Sequence, residues 1–180
     1  MNGIIVYKGK YGATWQYAEW AGQELNMPVL MSENCKEDKV QESDFLVVGT
    51  SVYIGSLVIK QWLHDNVRNI GQKQIFLFIV CGTPANEKQK LEGYIQSSVP
   101  KEIINQCTCF FLPGRLAYKK LSRMDKFLLR LGALLPSNRN KNKTIMEDYD
   151  SVKQENLIPL VSAVRTHVNN TPITAVVQPL

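Results

Sequence analysis

Residues 3–25 read GIIVYKGKYGATWQYAEWAGQEL, and three local patterns follow one another within this stretch. The apolar run at its start predicts a buried strand, and the apolar spacing further on predicts a helix from Thr14 to Asn26. The turn between them, YKGKYGAT at 7–14, carries two glycines, two lysines and a threonine. A tight turn needs one glycine at most. The composition of this turn therefore indicates a role beyond reversing the chain.

The loop from Gly9 to Thr14 has the features of an anion site. Its backbone N–H groups, from Gly9 to Ala13, can fold around an anion, and the positive end of the following helix points at the same place. Gly12 allows a positive φ or a close approach, and Thr14 can cap the helix or bond a phosphate oxygen. The alternative is a plain strand-to-helix turn capped by Thr14. The pattern is neither a Walker A loop nor G-x-G-x-x-G, so it does not indicate a nucleoside triphosphate or a dinucleotide.

The rest of the chain alternates predicted strands and helices. We predict further strands at 28–31, 44–51, 74–82 and 107–114, and helices at about 58–67, 85–98 and 151–168. Pro159 could kink the last helix. The last three strands are near-continuous apolar runs, as in a sheet that is covered on both faces. The order predicts an α/β fold with a doubly wound, five-stranded parallel sheet, whose ligand would bind beyond the carboxyl ends of strands one, three and four.

Length and composition indicate one domain without a membrane span. The 180 residues are enough for a full core, and no run of 18 apolar residues or signal-peptide pattern is present. We assign residues 1–170 to the domain and 171–180 to a C-terminal tail, and we expect a cytoplasmic protein. The four cysteines are few and irregular, as in a reduced cytosolic protein. Cys107 and Cys109 would share one face of a strand, but zinc pairs are usually spaced further apart, so we predict no metal site.

Positive charge is concentrated in one segment. The chain has a net charge of +5, but Pro113 to Lys143 contains nine Lys or Arg against the single acid Asp125, a net charge of +8. The remaining residues, with 12 basic and 15 acidic side chains, carry −3. Such asymmetry indicates an anionic partner surface, and a solvated helix face is the alternative.

The same segment contains an amphipathic helical pattern at 121–135. Its apolar stripe consists of Leu121, Met124, Phe127, Leu128, Leu131, Leu134 and Leu135. Arg123, Lys126 and Arg130 face elsewhere on the predicted helix. A basic amphipathic helix can lie on an anionic membrane surface, cover a cofactor pocket or dock a partner protein. Ordinary packing on the sheet is the fourth interpretation.

The N-terminal strand, loop and helix resemble the FMN phosphate loop of flavodoxins. That family usually reads Ser/Thr-x-Thr-Gly-x-Thr, which this chain matches at Gly12 and Thr14. Gly9 and Tyr11 replace two hydroxyl residues, and Lys8 and Lys10 are added positive charges. The resemblance implies a flavodoxin-like sheet of strand order 2-1-3-4-5 and noncovalent FMN. The implied phosphate residues are Lys8, Gly9, Lys10, Tyr11, Gly12, Ala13 and Thr14.

The resemblance also implies two loops that frame the isoalloxazine ring. One follows the third strand and consists of Ser51, Val52, Tyr53, Ile54 and Gly55. Tyr53 falls where the family often has a stacking aromatic residue, although it could also be a surface aromatic beside a turn. The other loop consists of Cys81, Gly82 and Thr83, and it lacks the family's usual aromatic residue. The second face of the ring would then be open or covered by other residues.

Flavodoxins proper lack the basic segment, which is similar to the insert of menaquinone-dependent protoporphyrinogen oxidases. The shared run consists of Gly114, Leu116, Tyr118, Arg123, Asp125 and Lys126. The sequence therefore leaves three hypotheses open. The first is an FMN-binding protein that transfers electrons to or from a redox partner enzyme. The second is a quinone-dependent protoporphyrinogen oxidase, and the third is a binding module that has lost FMN.

The histidines and carboxylates do not suggest an ordinary acid–base site. His64 and His167 are the only histidines, and both fall in predicted helices, where we interpret them as structural. We therefore assign no catalytic residue and attribute any chemistry to a bound cofactor. The expected partners are a redox protein or a quinone, with an anionic membrane surface as a further option through 113–143. We expect no nucleic-acid partner.

Overall fold

A computed structural model describes residues 1–116, 124–126 and 148–170. Its main sheet has six strands, β1 (Gly3–Lys8), β2 (Val29–Met31), β3 (Phe45–Tyr53), β4 (Ser56–Leu57), β5 (Gln74–Cys81) and β6 (Cys107–Pro113). Five of them are parallel in the order β2-β1-β3-β5-β6, and the short β4 pairs antiparallel with the end of β3. Apart from β4, this is the predicted order 2-1-3-4-5, so the predicted fold class is confirmed.

The described helices are α1 (Ala13–Leu25), α2 (Glu37–Glu42), α3 (Lys60–Asp65), α4 (Val67–Ile70), α5 (Lys88–Gln96) and α6 (Ile158–Asn170). The sequence pattern missed α2, which is too short to show periodicity. The predicted helix at 58–67 is two short helices that meet at Asn66. The Asn66 side chain donates to the carbonyl oxygen of Trp62 at 2.9 Å. Asparagine competes with the helical hydrogen-bond pattern in this way, which accounts for the break.

The last helix begins later than predicted. Residues 151–157 are not α-helical, and a 3₁₀ turn, Gln154–Leu157, leads into α6 at Ile158. Pro159 therefore lies in the first turn of α6. A proline there removes an N–H group that has no intrahelical acceptor, so it starts the helix instead of kinking it. The predicted start at 151 and the predicted kink were both wrong.

The sheet buries apolar side chains on both faces, as its continuous apolar strands predicted. One face packs Val48 and Leu77 against Leu63 and other side chains of the helices that follow β3 and β5. The opposite face packs Phe78 with Tyr17 of α1 and residues of α6. This two-sided burial holds the central strands rigidly. Their carboxyl ends therefore form a fixed platform for the loops that follow them.

The residues on the two sides of 117–148 pair with each other. A two-stranded antiparallel ribbon joins β7 (Arg115–Leu116) to β8 (Tyr149–Asp150), and the Ser151 amide donates to the carbonyl oxygen of Gly114 at 3.1 Å. This ribbon is the base of an insert, which we define as residues 117–148. The predicted helix 121–135 lies outside the described residues except for 124–126, which are helical. The predicted tail at 171–180 also lies outside them.

The one residue of the predicted apolar stripe that the structure describes, Met124, is exposed. Met124 is 63% exposed, whereas its neighbour Asp125 is 5% exposed. In this turn the acidic side chain, not the apolar one, faces the protein. Within 1–116, 124–126 and 148–170, no helix is both long enough and apolar enough to cross a bilayer.

Candidate functional site

The register of the sheet brings the three predicted loops to one edge. Lys8 at the end of β1 lies beside Thr50 of β3, and Ser51 lies beside Val80 of β5. Because these strands are parallel, the loops that follow β1, β3 and β5 leave from neighbouring positions. The reversal of strand order between β1 and β3 is the switch point at which ligands of such sheets bind.

The loop after β1 ends in an uncapped helix. Gly12 is the N-cap of α1, with φ at +82°, and no side chain caps the helix. Thr14 is the second residue of α1 and does not cap it, so the alternative of a plain turn capped by Thr14 was wrong. The first N–H groups of a helix have no intrahelical acceptor, and the helix dipole adds positive potential there. This end of α1 therefore retains the donors that an anion needs.

Gly9 and Thr14 pack directly against each other. Thr14 is 2% exposed, and a Cβ atom added at Gly9 would lie 2.5 Å from both Cβ and Oγ1 of Thr14. No real side chain occupies such a distance. The loop therefore folds back onto the first turn of α1 only because residue 9 is glycine. The sequence analysis expected a positive φ or a close approach at Gly12, which does have a positive φ, whereas the requirement for glycine at position 9 emerged only from the structure.

The two lysines of the loop point in different directions. Lys8 forms an ion pair with Glu33, Nζ to Oε1 2.8 Å, and this hydrogen bond lowers the pKa of Glu33. Lys10 instead lies over the ring of Tyr53, with Nζ 3.4 Å from the ring centroid. Burial lowers the pKa of Lys10, but hydrogen bonds with Tyr53 and Asp125 outweigh burial and leave it raised. Lys10 is therefore a permanent cation that pairs with Asp125 of the basic segment, whereas Lys8 pairs with Glu33.

The loop after β3 is a tight hairpin turn. Tyr53 pairs with Ser56 across the turn, and both residues between them have positive φ, +48° at Ile54 and +73° at Gly55. Two positive φ angles are typical of the type I′ turn, which favours Asn-Gly. Ile54 is β-branched and disfavours this conformation, yet its side chain is 67% exposed. The turn thus holds an exposed apolar side chain in a strained backbone conformation.

Two hydroxyl residues precede this turn. Thr50 is fully buried, and its Oγ1 accepts a hydrogen bond from the Ile59 amide at 3.2 Å, which ties the loop to the start of α3. Ser51 differs, because its Oγ is buried and has no hydrogen-bond partner among the described residues. Buried hydroxyl groups normally have a partner. The Ser51 hydroxyl is therefore available to a ligand at the carboxyl end of β3.

Asp125 of the insert joins the first two loops. Lys10 Nζ lies 2.9 Å from Asp125 Oδ1, the Tyr53 hydroxyl donates to the same oxygen at 2.6 Å, and the Tyr11 hydroxyl donates to Oδ2. Burial, followed by the contact with Asp125, raises the pKa of Tyr11 to about 12. We call Lys10, Tyr11, Tyr53 and Asp125 the polar cluster. Asp125 was not predicted to be a site residue, although it is the only acid between residues 113 and 143.

The third loop receives its aromatic residue from a distant part of the chain. A Cβ atom added at Gly82 would lie 2.7 Å from the hydroxyl oxygen of Tyr149, so the Tyr149 ring edge lies against Gly82. Thr83 shares a hydrogen bond with Tyr94, Oγ1 to Oη 3.0 Å. Burial raises the pKa values of Cys81 and Tyr149. The sequence pattern predicted a third loop without an aromatic residue, because Tyr149 follows the insert.

Two further cysteines, Cys107 and Cys109, belong to β6. Cys107 and Cys109 pack on the same face of β6, as predicted. Burial raises the pKa of Cys107 to about 12 and that of Cys109 to about 11, so both thiols stay protonated at neutral pH. Among the described residues, no group of three potential metal ligands is present.

A cavity of about 480 Å³ lies at the opposite edge of the sheet. Its lining includes Asn2, Met27, Phe45 and Val164, and none of the residues of the three loops. The cavity therefore does not coincide with the three loops that carry the polar and charged groups. We assign the site to the three loops, because the cation, the uncapped helix and the partnerless hydroxyl converge there.

A family model of the flavodoxin domain matches residues 4–144. The chain belongs to the flavodoxin domain family. A solved flavodoxin from the domain Archaea is 17% identical and aligns over 79% of this chain and 99% of its own length, with a TM-score of 0.46. Azoreductase AzrA is 10% identical and aligns over 92% of this chain and its whole length, with a TM-score of 0.47. No curated protein sequence matches the chain.

Membership of the flavodoxin domain family indicates a flavin-binding redox role, because such domains generally bind a flavin, commonly FMN. Three features of this flavodoxin domain fit a phosphorylated flavin: the uncapped N-terminus of α1, the cation of Lys10 and the buried, partnerless hydroxyl of Ser51. Neither the family model nor these structures support the similarity of the insert to protoporphyrinogen oxidases. That similarity stays a prediction.

Proposed function

We propose that this flavodoxin domain binds FMN noncovalently and exchanges electrons with a redox partner. One observation carries the proposal. The N-terminus of α1, which no side chain caps, opens at the same sheet edge as Lys10, Tyr53 and the Ser51 hydroxyl. FMN, when bound, supplies one- or two-electron chemistry, and the protein supplies binding and orientation.

The phosphate would be held by the loop after β1. Its backbone N–H groups and the end of α1 provide hydrogen bonds and positive potential, and Lys10 provides a full charge. Lys8 contributes less than the sequence suggested, because Glu33 already neutralises it. Thr14 is buried against Gly9, so it acts first by shaping the loop.

The flavin ring would lie between the second and third loops. Ser51, Val52, Tyr53, Ile54 and Gly55 would border one side, and Cys81, Gly82 and Thr83 the other. Tyr149 would complete the third loop, since its hydroxyl lies against Gly82. The face of Tyr53 that meets Lys10 in the described structure is covered by the ammonium group, so Tyr53 would stack on the ring through its other face or after Lys10 moves.

We expect the purified chain to take up FMN at micromolar concentration and Tyr53→Ala to weaken that binding about fivefold or more. Loss of a stacked aromatic pair costs about 1 kcal/mol. Tyr53→Phe is the matched comparison, because it keeps the ring and loses only the hydroxyl that contacts Asp125, so Tyr53→Ala should bind FMN more weakly than Tyr53→Phe by the contribution of the ring. Equilibrium dialysis with detection of flavin absorbance measures all three affinities.

Two results of this experiment would count against the proposal. Absence of saturable FMN binding by the unchanged chain would remove the proposed function itself and favour a flavodoxin-fold binding module. Equal affinities of the unchanged chain and Tyr53→Ala would leave FMN binding intact but place Tyr53 away from the ring.

The electron partner is proposed from charge alone. The net charge of +8 between residues 113 and 143 favours an acidic redox protein or an anionic membrane surface that carries a quinone. Reoxidation of the FMN-loaded, reduced protein by a soluble quinone, measured with and without a porphyrinogen substrate, separates a carrier from an oxidase. Rapid turnover of the porphyrinogen would replace the electron-transfer assignment.

A further inference from the structure

We propose that Asp125 is a built-in competitor for the anion-binding groups of the loop after β1, so that an anionic cofactor enters only by displacing this carboxylate. The identity of the anion, the phosphate of FMN, rests on the function proposed above. The contact itself is independent of that function, because it is present in the chain alone.

Three of the groups that contact Asp125 are hydrogen-bond donors of the loops after β1 and β3. Its two carboxylate oxygens accept hydrogen bonds from Lys10, Tyr11 and Tyr53, and its side chain is 5% exposed. All three donors belong to the loops that leave β1 and β3. An ammonium group and two phenol hydroxyls serve any oxyanion, carboxylate or phosphate, in the same way. Asp125 therefore uses two groups of the phosphate loop, Lys10 and Tyr11, that a phosphate would otherwise use.

The negative charge of Asp125 also opposes a phosphate at the same place. The Asp125 carboxylate balances Lys10, the one lysine of the loop that Glu33 does not pair. A phosphate that entered beside an unmoved Asp125 would meet a negative charge within a few ångströms in a partly buried site. Like charges at such a separation repel strongly where water is scarce. Either the carboxylate leaves or the phosphate binds poorly.

The position of Asp125 in the chain is unusual for a buried acid. It comes from the insert, which is attached through the β7–β8 ribbon and is otherwise rich in cations. An acid that merely balanced surface charge would be exposed, whereas Asp125 is buried while its neighbour Met124 is exposed. The contact thus ties one residue of the insert to the loop after β1.

The test compares Asp125→Ala and Asp125→Asn with the unchanged chain, with FMN and riboflavin as ligands. Both variants remove the charge, and Asp125→Asn keeps an oxygen acceptor for the tyrosines. Glu42→Gln is the matched control, because it removes one exposed negative charge from the end of α2 that lines the cavity at the opposite edge of the sheet. Melting temperatures verify that each variant is folded.

We expect both Asp125 variants to bind FMN about tenfold more tightly or better, on the scale of one like-charge contact in a partly buried site. Riboflavin, which lacks the phosphate, should gain less than FMN. Glu42→Gln should match the unchanged chain for both ligands. An unchanged or weakened FMN affinity in folded Asp125→Ala would overturn the inference, since Asp125 would then only support the structure.

A second measurement decides the inference even if no variant binds a flavin. Asp125 contributes to the raised pKa of Tyr11, so its removal should bring tyrosine ionisation to a lower pH. Ultraviolet titration of tyrosinate in Asp125→Ala and in the unchanged chain measures this shift, and added inorganic phosphate should bind to the variant only. Identical titration curves would show that the contact is absent in solution and would overturn the inference.

Discussion

Gly49→Ala should lower the free energy of unfolding by about 3 kcal/mol, at the upper end of typical overpacking effects. Gly49 of β3 lies directly beside Phe78 of β5, and Phe78 is fully buried. A Cβ atom at position 49 would lie 2.7 and 2.8 Å from two carbons of the Phe78 ring, and closer still to Cζ. The ring is packed on all sides, so the backbone of β3 or β5 would have to move.

Chemical denaturation of the purified variant measures this effect, and Gly93→Ala is its control. Nothing lies within 4 Å of a Cβ atom at Gly93, which is in α5, so alanine there should be neutral or stabilising. Phe78→Leu, which shortens the side chain, should partly rescue Gly49→Ala in the double variant. Full stability of Gly49→Ala would mean that the Phe78 ring does not lie against Gly49 in solution.

Gly9→Ala should weaken FMN binding about 100-fold, which corresponds to about 2.7 kcal/mol. The new methyl group would meet Cβ and Oγ1 of Thr14 at 2.5 Å. Because Thr14 is fixed in the first turn of α1 and is 2% exposed, the loop must yield instead of the helix. The backbone N–H groups would then lose their common direction, on which phosphate binding depends.

Gly9→Ala should weaken the binding of FMN, which carries the phosphate, more than the binding of riboflavin. Riboflavin should lose much less affinity than FMN, because it makes no use of the loop donors. Fluorescence titration of the variant with both ligands gives the two ratios. An equal loss for FMN and riboflavin would indicate a general distortion of the site, and no loss for either would show that residues 9–14 do not contact the cofactor.

The fold could be predicted from the sequence because its strongest signals are local. Buried parallel strands are apolar on both faces, so the runs at β3, β5 and β6 are visible without any tertiary knowledge. The site edge follows from the same information, since parallel strands place their carboxyl ends together. The short elements α2 and β4 carry too few residues for a periodic pattern, and tertiary contacts decide them.

The composition of the site could be predicted only in part, because its decisive contacts are long-range. Tyr149 contacts Gly82, and Asp125 contacts Lys10 and Tyr11, across long stretches of intervening sequence. No sequence pattern encodes these contacts. The sequence did contain one clue, a single acid in a strongly basic segment, but its burial depends on the fold.

The most direct test of the central claim, that residues 9–14 hold the phosphate of a flavin, is the ratio of the dissociation constants for riboflavin and FMN. Fluorescence quenching of each flavin, titrated with the unchanged protein at fixed ionic strength, provides both constants. We predict that FMN binds at least about tenfold more tightly than riboflavin, since charge-assisted contacts to the phosphate are worth at least about 1.5 kcal/mol. Equal dissociation constants, or binding of neither flavin, would contradict the account.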